Sequence, residues 1–384
     1  MRDYVITGPT IYAGEDQCLT DHAVVVSAGK IIAIVPEVES VQYSGERLSY
    51  PSDTFLVPGM IDLHIHGARG ADVMDADPDA LNTIANALVQ EGTTGFLATT
   101  MTAPSTEIEH ALQAVCTQQK LPHTQPQAQV LGVHLEGPFL SAQKPGAQDA
   151  QWVVPPDLAK FQAWQASHDQ IIRLVTVAPE TQGALPFIQV LSQQGVVVSV
   201  GHTACISDTA QAAIEHGACH ATHLYNAMSG LHHREPGAAL ALLLDKRVLL
   251  ELIADGVHLS SEITHLTLRV AGAERIVLVT DAMRAKCMGT GVFDLGGQKV
   301  IVKGNEARLE NGVLAGSVLT LNRACQHMLT YPGVTRADVV RMASINPAKQ
   351  LGLYAERGSI AVGKRADLVV FDAQYQIVEV FVAD

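Results

Sequence analysis

Cysteine is sparse and scattered: Cys18, Cys116, Cys205, Cys219, Cys287 and Cys325 are spread over 384 residues with no CxxC pair. That pattern excludes a disulfide frame and reads as reduced thiols in a cytosolic protein. Basic residues are also in deficit, 25 Lys and Arg against 39 acids, for a formal charge of −14. A nucleic-acid surface requires the opposite excess, so no nucleic-acid partner is expected and any anionic ligand must find a local basic spot. No uncharged apolar run approaches membrane-spanning length, and the Met1–Gly8 segment has no basic stretch leading into an apolar one. The expectation is cytoplasmic residence without membrane association. Internal repeats and low-complexity segments are absent as well. What is present, 47% hydrophobic residues with only 17% charged, suffices for one large core and a smaller second unit.

The two ends of the chain have short β runs, Tyr4–Thr7, Ala23–Ser27 and Ile31–Val35 at one end and Ala366–Asp372 and Ile377–Val382 at the other. Each set is too small to bury a core alone, so the termini are expected to pair. Between them strand-like runs alternate with helical patterns, the signature of βα units around a parallel sheet. Strands are expected near 60–66, 93–99, 130–136, 172–178, 196–201, 219–224, 248–254 and 276–281. Asp77 with Pro78 can open a helix whose Leu81, Ile84, Ala85 and Leu88 form one stripe. Eight such units predict an α/β fold: a (β/α)8 TIM-like barrel over residues 58–349, with a small β-sandwich domain formed by both chain termini, 1–57 plus 350–384. The long Gly- and Asn-rich stretch from Ala282 to Gly316, with a hairpin-like core at Val300–Val302, is expected to be a functional flap.

The polar residues that interrupt this pattern sit where the strands stop. Val130–Leu135 drives into Glu136 and is then halted by Gly137 and Pro138. A buried carboxylate there must be paired or bound to a cation. Met60–His66 presents Asp62, His64 and His66 on one side of a strand, two residues apart. His202 follows Val196–Gly201, His223 follows Ala218–Thr222, and Asp281 follows Ile276–Thr280. Any one of these histidines alone is as readily a satisfied core residue. As a set at five strand ends they predict a divalent metal held by oxygen and imidazole, which suits Zn²⁺, Fe²⁺, Mn²⁺ or Co²⁺. Asp281 is either one more ligand or the general base for an activated water. Asn226 can orient an amide or hydroxyl, Arg234 offers a fork for an anionic group or simply a surface ion pair, and neutral His258 can meet sugar hydroxyls or a carbonyl.

Pro58–Gly67 and Gly358–Val369 resemble the amidohydrolase superfamily. Together with His134–Phe139, Val200–Thr203, Thr222–Met228, His233–Gly237, Ala254–His258 and Val279–Ala282, they resemble its N-acetylglucosamine-6-phosphate deacetylase family along nearly the whole chain. The resemblance implies an amidohydrolase-type barrel, a metal held by Glu136, His202 and His223, and a second ion where the first strand keeps His64 and His66. One or two ions are therefore expected, with zinc the first expectation. It implies Asp281 as catalytic acid/base in the hydrolysis of an N-acetyl group from an amino-sugar phosphate, and substrate contacts from Asn226, Ala227, Arg234, His258, Leu314, Ala315 and Gly316. A homodimer is also implied. Some members carry a histidine in the loop after the third strand where this chain has Ala147–Gln148, so Ala147 and Gln148 are assigned to substrate and gluco versus galacto preference stays open. A cyclic-amide hydrolase of the dihydroorotase or hydantoinase kind shares the barrel but typically bridges its metals with a carboxylated lysine at a strand end, and here Glu136 stands in the bridging place.

Overall fold

The computed structural model describes residues 3–15, 17–122 and 125–383. Eight parallel strands run in sequence order: β1 Met60–Ile65, β2 Thr93–Thr99, β3 Gln129–Glu136, β4 Ile172–Val177, β5 Val197–Val200, β6 His220–Ala221, β7 Leu249–Leu252 and β8 Ile276–Leu278. Each pairs with its chain neighbour, and the ring closes between the last and first through a parallel bridge, Ile65 with Ala282, and the Asp281 N–H donating to the His64 carbonyl at 2.8 Å. Helices cover the outside, as the apolar strands require when both sheet faces are buried. Pro78–Val89 shows how the sequence specifies one. The Asp77 carboxylate caps its first turn and Pro78 opens it, while Leu81, Ile84, Ala85 and Leu88 are buried against the barrel.

The chain ends meet in two further sheets. One is the pair-wise ladder of Lys30–Pro36, His22–Ser27, Tyr4–Thr7 and Glu46–Ser49; the other joins Ile377–Phe381 and Leu368–Phe371 to Phe55–Pro58, Thr10–Tyr12 and Cys18–Leu19. Ile6, Val24, Val26, Ile31, Leu56, Leu368, Val370 and Phe381 share one apolar cluster between these sheets.

The flap after β8 is a three-stranded antiparallel sheet, Gly291–Leu295, Gln298–Lys303 and Glu306–Leu309. It has its own small core of Leu295, Val300, Val302, Ala307 and Leu309, which packs on Met101 and Met283. Among the described residues, no helix is long and apolar enough to cross a membrane.

Candidate metal centre and cavity

Strands β5, β6 and β8 stop earlier than their apolar runs suggest. His202, His223 and Asp281 lie just beyond them, with φ of 45°, 30° and 46°. A non-glycine residue in this left-handed region costs on the order of 1–3 kcal/mol and persists only where its surroundings fix it. Each is fixed. Ser141 N–H donates to the His202 carbonyl, Glu251 accepts from the His223 N–H at 3.0 Å, and Asp281 is held by His64 on one side and Ser317 on the other. Gly316, at φ +59°, lies so close under this turn that a Cβ would stand 2.9 Å from the Asp281 carbonyl oxygen. The turns swing three side chains toward Glu136, at the end of β3.

Glu136 is the hub. Its Oε1 lies 3.1 Å from His202 Nε2 and 3.2 Å from His223 Nε2, and those two nitrogens are 3.0 Å apart. Its Oε2 lies 3.4 Å from His64 Nε2 and 3.2 Å from His66 Nε2, and the same two nitrogens stand 3.4 and 3.2 Å from Asp281 Oδ1. Ligands about 2.0–2.1 Å from an ion in tetrahedral array are roughly 3.3–3.4 Å apart, so both groups have the spacing of a metal-binding set. The tautomers fit as well. His66 and His202 donate Nδ1–H to the carbonyls of Thr99 and Lys144, and His64 donates Nδ1–H to Glu251, which leaves each Nε2 facing the centre. His64 Nε2 is fully buried with no hydrogen-bond partner. The expected donors Glu136, His202, His223, His64 and His66 are thus brought together, with Asp281 beside the latter pair.

The charges balance without an ion only by protonation. Burial disfavours the charged form of His66, yet hydrogen bonds to Asp281 and Glu136 outweigh it and raise the imidazole to about 9. His64 is likewise buried, and the carboxylates of Glu136, Asp281 and Glu251 raise it well above its ordinary value. Burial would raise Glu136 and Asp281, but the His64 charge and the neighbouring imidazole hydrogen bonds hold both below the usual carboxylate range. A divalent cation would replace the two imidazolium protons and leave both carboxylates ionised beside it.

Above this floor opens a cavity of ≈ 630 Å³ lined by His66, Glu136, His202, His223, Asp281, Ala147, Gln148, Asn226, Ala227, His258, Leu314 and Gly316. Ala315 is fully buried, its N–H donating to Ala307, and supports the flap. Arg234 does not line the cavity. It is exposed on the loop before Ala238–Leu244, with its guanidinium 2.7 Å from His233. Gln148 lines the cavity with its amide engaged: its oxygen accepts from Thr102 N–H at 2.7 Å and its nitrogen donates to Glu136 Oε2 at 2.8 Å. His258 donates Nδ1–H to Asp255 at 2.7 Å. Sequence reasoning missed Lys144 and Arg308, the cations on the cavity wall, and Glu251 beneath its floor. Lys144, Arg308 and Glu251 carry no local sequence signal.

The sequence pattern of the amidohydrolase family matches residues 55–384. An N-acetylglucosamine-6-phosphate deacetylase of Bacillus subtilis (strain 168) is 40% identical over 369 residues, 95% of this chain and 92% of that protein. An N-acetylgalactosamine-6-phosphate deacetylase of Escherichia coli O157:H7 is 40% identical over 368 residues, 96% of this chain and 95% of the other. The solved structure of a mutant N-acetyl-D-glucosamine-6-phosphate deacetylase from Mycobacterium smegmatis, in complex with N-acetyl-D-glucosamine-6-phosphate, superposes with a TM-score of 0.92 at 31% identity, covering 100% of this chain and 98% of that one.

Proposed function

Because the chain belongs to the amidohydrolase family, we propose that it hydrolyses the acetamide of N-acetylglucosamine-6-phosphate, giving glucosamine-6-phosphate and acetate in amino-sugar breakdown. One observation carries the reading: a single carboxylate, Glu136, offers one oxygen to His202 and His223 and the other to His64 and His66, with Asp281 alongside and an open cavity above.

We assign Glu136, His202 and His223 to one divalent ion, and His64, His66 and Asp281 with Glu136 to a second, zinc being the ion that imidazole and carboxylate donors suit first. When bound, such an ion polarises the acetyl carbonyl and makes a water molecule acidic. The protein does the rest. Asp281, ionised at neutral pH by its imidazole neighbours, accepts the proton of the attacking water and returns it to the departing amine, whose bond to the acetyl carbon breaks as acetate forms. Asn226 and Ala227 flank the amide side of the cavity, and the flap residues Leu314 and Gly316 close over the sugar. His258, with Nδ1–H committed to Asp255, presents Nε2 as an acceptor to a hydroxyl. Arg234, exposed and off the cavity wall, would reach a substrate phosphate only if a second copy of the chain presented it. Its assignment to phosphate therefore goes together with the homodimer. Cytoplasmic residence and a division into a 58–349 barrel and a terminal β-domain complete the reading.

A galacto substrate is the second reading, favoured by the Escherichia coli relative. The test is acetate release from N-acetylglucosamine-6-phosphate and N-acetylgalactosamine-6-phosphate, with ring opening of dihydroorotate followed alongside, by protein reconstituted with Zn²⁺, Fe²⁺, Mn²⁺ or Co²⁺. Turnover of the first above the second is expected. Consumption of dihydroorotate, or no acetate from either sugar with any ion, would overturn the proposal.

A further inference from the structure

Beneath the donor array lies a layer of polar side chains with no solvent exposure: His134, Thr176, Ser199, His220, Thr222 and Glu251. Burying a carboxylate at this depth is costly unless each lone-pair direction is met. Glu251, on β7, meets the requirement in an unusual way. Its Oε1 accepts from His220 Nε2 at 3.0 Å, and its Oε2 accepts both from His64 Nδ1 at 2.9 Å and from the backbone N–H of His223 at 3.0 Å. One oxygen therefore holds a side chain from one donor group and the main chain of the other.

We propose that Glu251 is a positioning residue that sets the two donor groups in register, so that this site takes up two ions and not one. Two constraints follow from the single atom Oε2. It fixes the tautomer and ring plane of His64, which otherwise could turn either nitrogen to the centre. It also pins the peptide N–H of His223, the residue with the lowest positive φ in the array at 30°, and so keeps that ring aimed at Glu136. Gln in place of Glu251 keeps the shape but turns one of the two oxygens into an N–H₂ group, which cannot accept from an imidazole or an amide. The His64 side chain, held through its own ring, is the more sensitive of the two. The Glu136, His202 and His223 group keeps the Lys144 and Ser141 bonds of His202 in any case.

This inference rests on the two-ion reading above, and its test separates the two. Metal-free full-length protein is titrated with Co²⁺, and uptake is followed by bound metal per chain and by the visible absorption of the ion. Two ions per chain are expected for the unmodified protein. Glu251→Gln should weaken the first ion only slightly, through His223, and the second about 10–100-fold, the usual scale for losing a group that orients a metal ligand. His220→Asn, which leaves both Oε2 bonds, should bind both ions normally. If Glu251→Gln is insoluble, Glu251→Asp, too short to span His64 and His223 together, should lose the second ion in the same way. Uptake of one ion or none by the unmodified protein sinks the two-ion reading itself. Two ions bound normally by Glu251→Gln, equal loss of both, or the same loss in His220→Asn would overturn the role given to Glu251 alone.

Discussion

The floor of the cavity and its mouth are built on opposite plans. On the floor, Glu136, His64, His66, His202 and His223 are all buried, come from the ends of four barrel strands, and are each held by at least one further bond from the frame. At the mouth, Lys144, Arg308, Asn311 and Val313 stand on loops and the flap, and the Arg308 side chain is 42% exposed. The floor stores backbone strain and buried paired charge; at the mouth the Arg308–Glu306 ion pair is exposed to solvent. The difference teaches where each task is placed. Donors proposed to meet an ion within a few tenths of an ångström sit on rigid strand ends, and groups proposed to meet a flexible phosphosugar sit on segments that can adjust.

The contrast breaks hardest at its hub. Glu136→Ala removes an oxygen from each donor group, so bound metal should fall to near zero by elemental analysis, and turnover by more than about 10⁴-fold as metal and general-base contributions fail together. Asp281→Asn is narrower. It should retain the ion at Glu136, His202 and His223, leave KM nearly unchanged, and lower kcat by about 10²–10⁴-fold. A large rise in KM with kcat preserved would place Asp281 at the mouth and not on the floor.

A third test uses the charge stored on the floor. In the ion-free protein His64 and His66 are raised, the latter to about 9, and an ion must displace their protons. Metal affinity should then climb between about pH 6.5 and 9, by up to tenfold per unit for each proton released. The sign for stability is the reverse. A raised histidine contributes stability that is fully present below its unfolded value of about 6.5 and is lost as pH rises through its folded value. Ion-free protein should therefore melt at a lower temperature at pH 9 than at pH 6.5, and saturating metal should remove that decline. A flat melting profile without metal would mean that the floor does not hold its protons.

Much of the floor is legible in the chain because an apolar run that ends in Glu, His or Asp is a rare pattern with few physical excuses. Glu136, His202, His223 and Asp281 all announce themselves in this way, and the alternation of strand and helix supplies the ring that gathers them. The lengths of β6 and β8 are not legible. The runs suggest 219–224 and 276–281, whereas the ladders hold only His220–Ala221 and Ile276–Leu278, because the chain leaves the sheet to turn His223 and Asp281 into left-handed conformations. Glu251 is hidden for another reason. Within Val248–Ile253 it reads as one acid in an apolar strand, and its partners His64 and His223 lie 187 and 28 positions away. Arg234 is recognisable as an anion-binding type, but its exposed placement depends on a loop path that no local pattern encodes.

The smallest effect should come from the mouth. Arg308 lines the cavity from the flap strand Glu306–Leu309, its Nε–H donating to Glu306 at 2.8 Å and one terminal N–H to the Gly312 carbonyl at 2.9 Å. These bonds hold the guanidinium plane while leaving its other terminal nitrogen for an anionic substrate group, in a chain whose net charge of −14 otherwise repels phosphate. A hydrogen bond to a charged group is worth about 1.5–3 kcal/mol, so Arg308→Ala should raise KM for a sugar 6-phosphate by roughly ten- to a hundredfold with kcat nearly unchanged. The uniform-binding signature matters more than the size, because a contact made equally in ground and transition states belongs to recognition. The same variant should turn over the unphosphorylated N-acetyl sugar as well as the parent protein does. Should Arg308→Ala instead lower kcat on both substrates, the flap would be shaping the floor, and the separation between chemistry and recognition would fail.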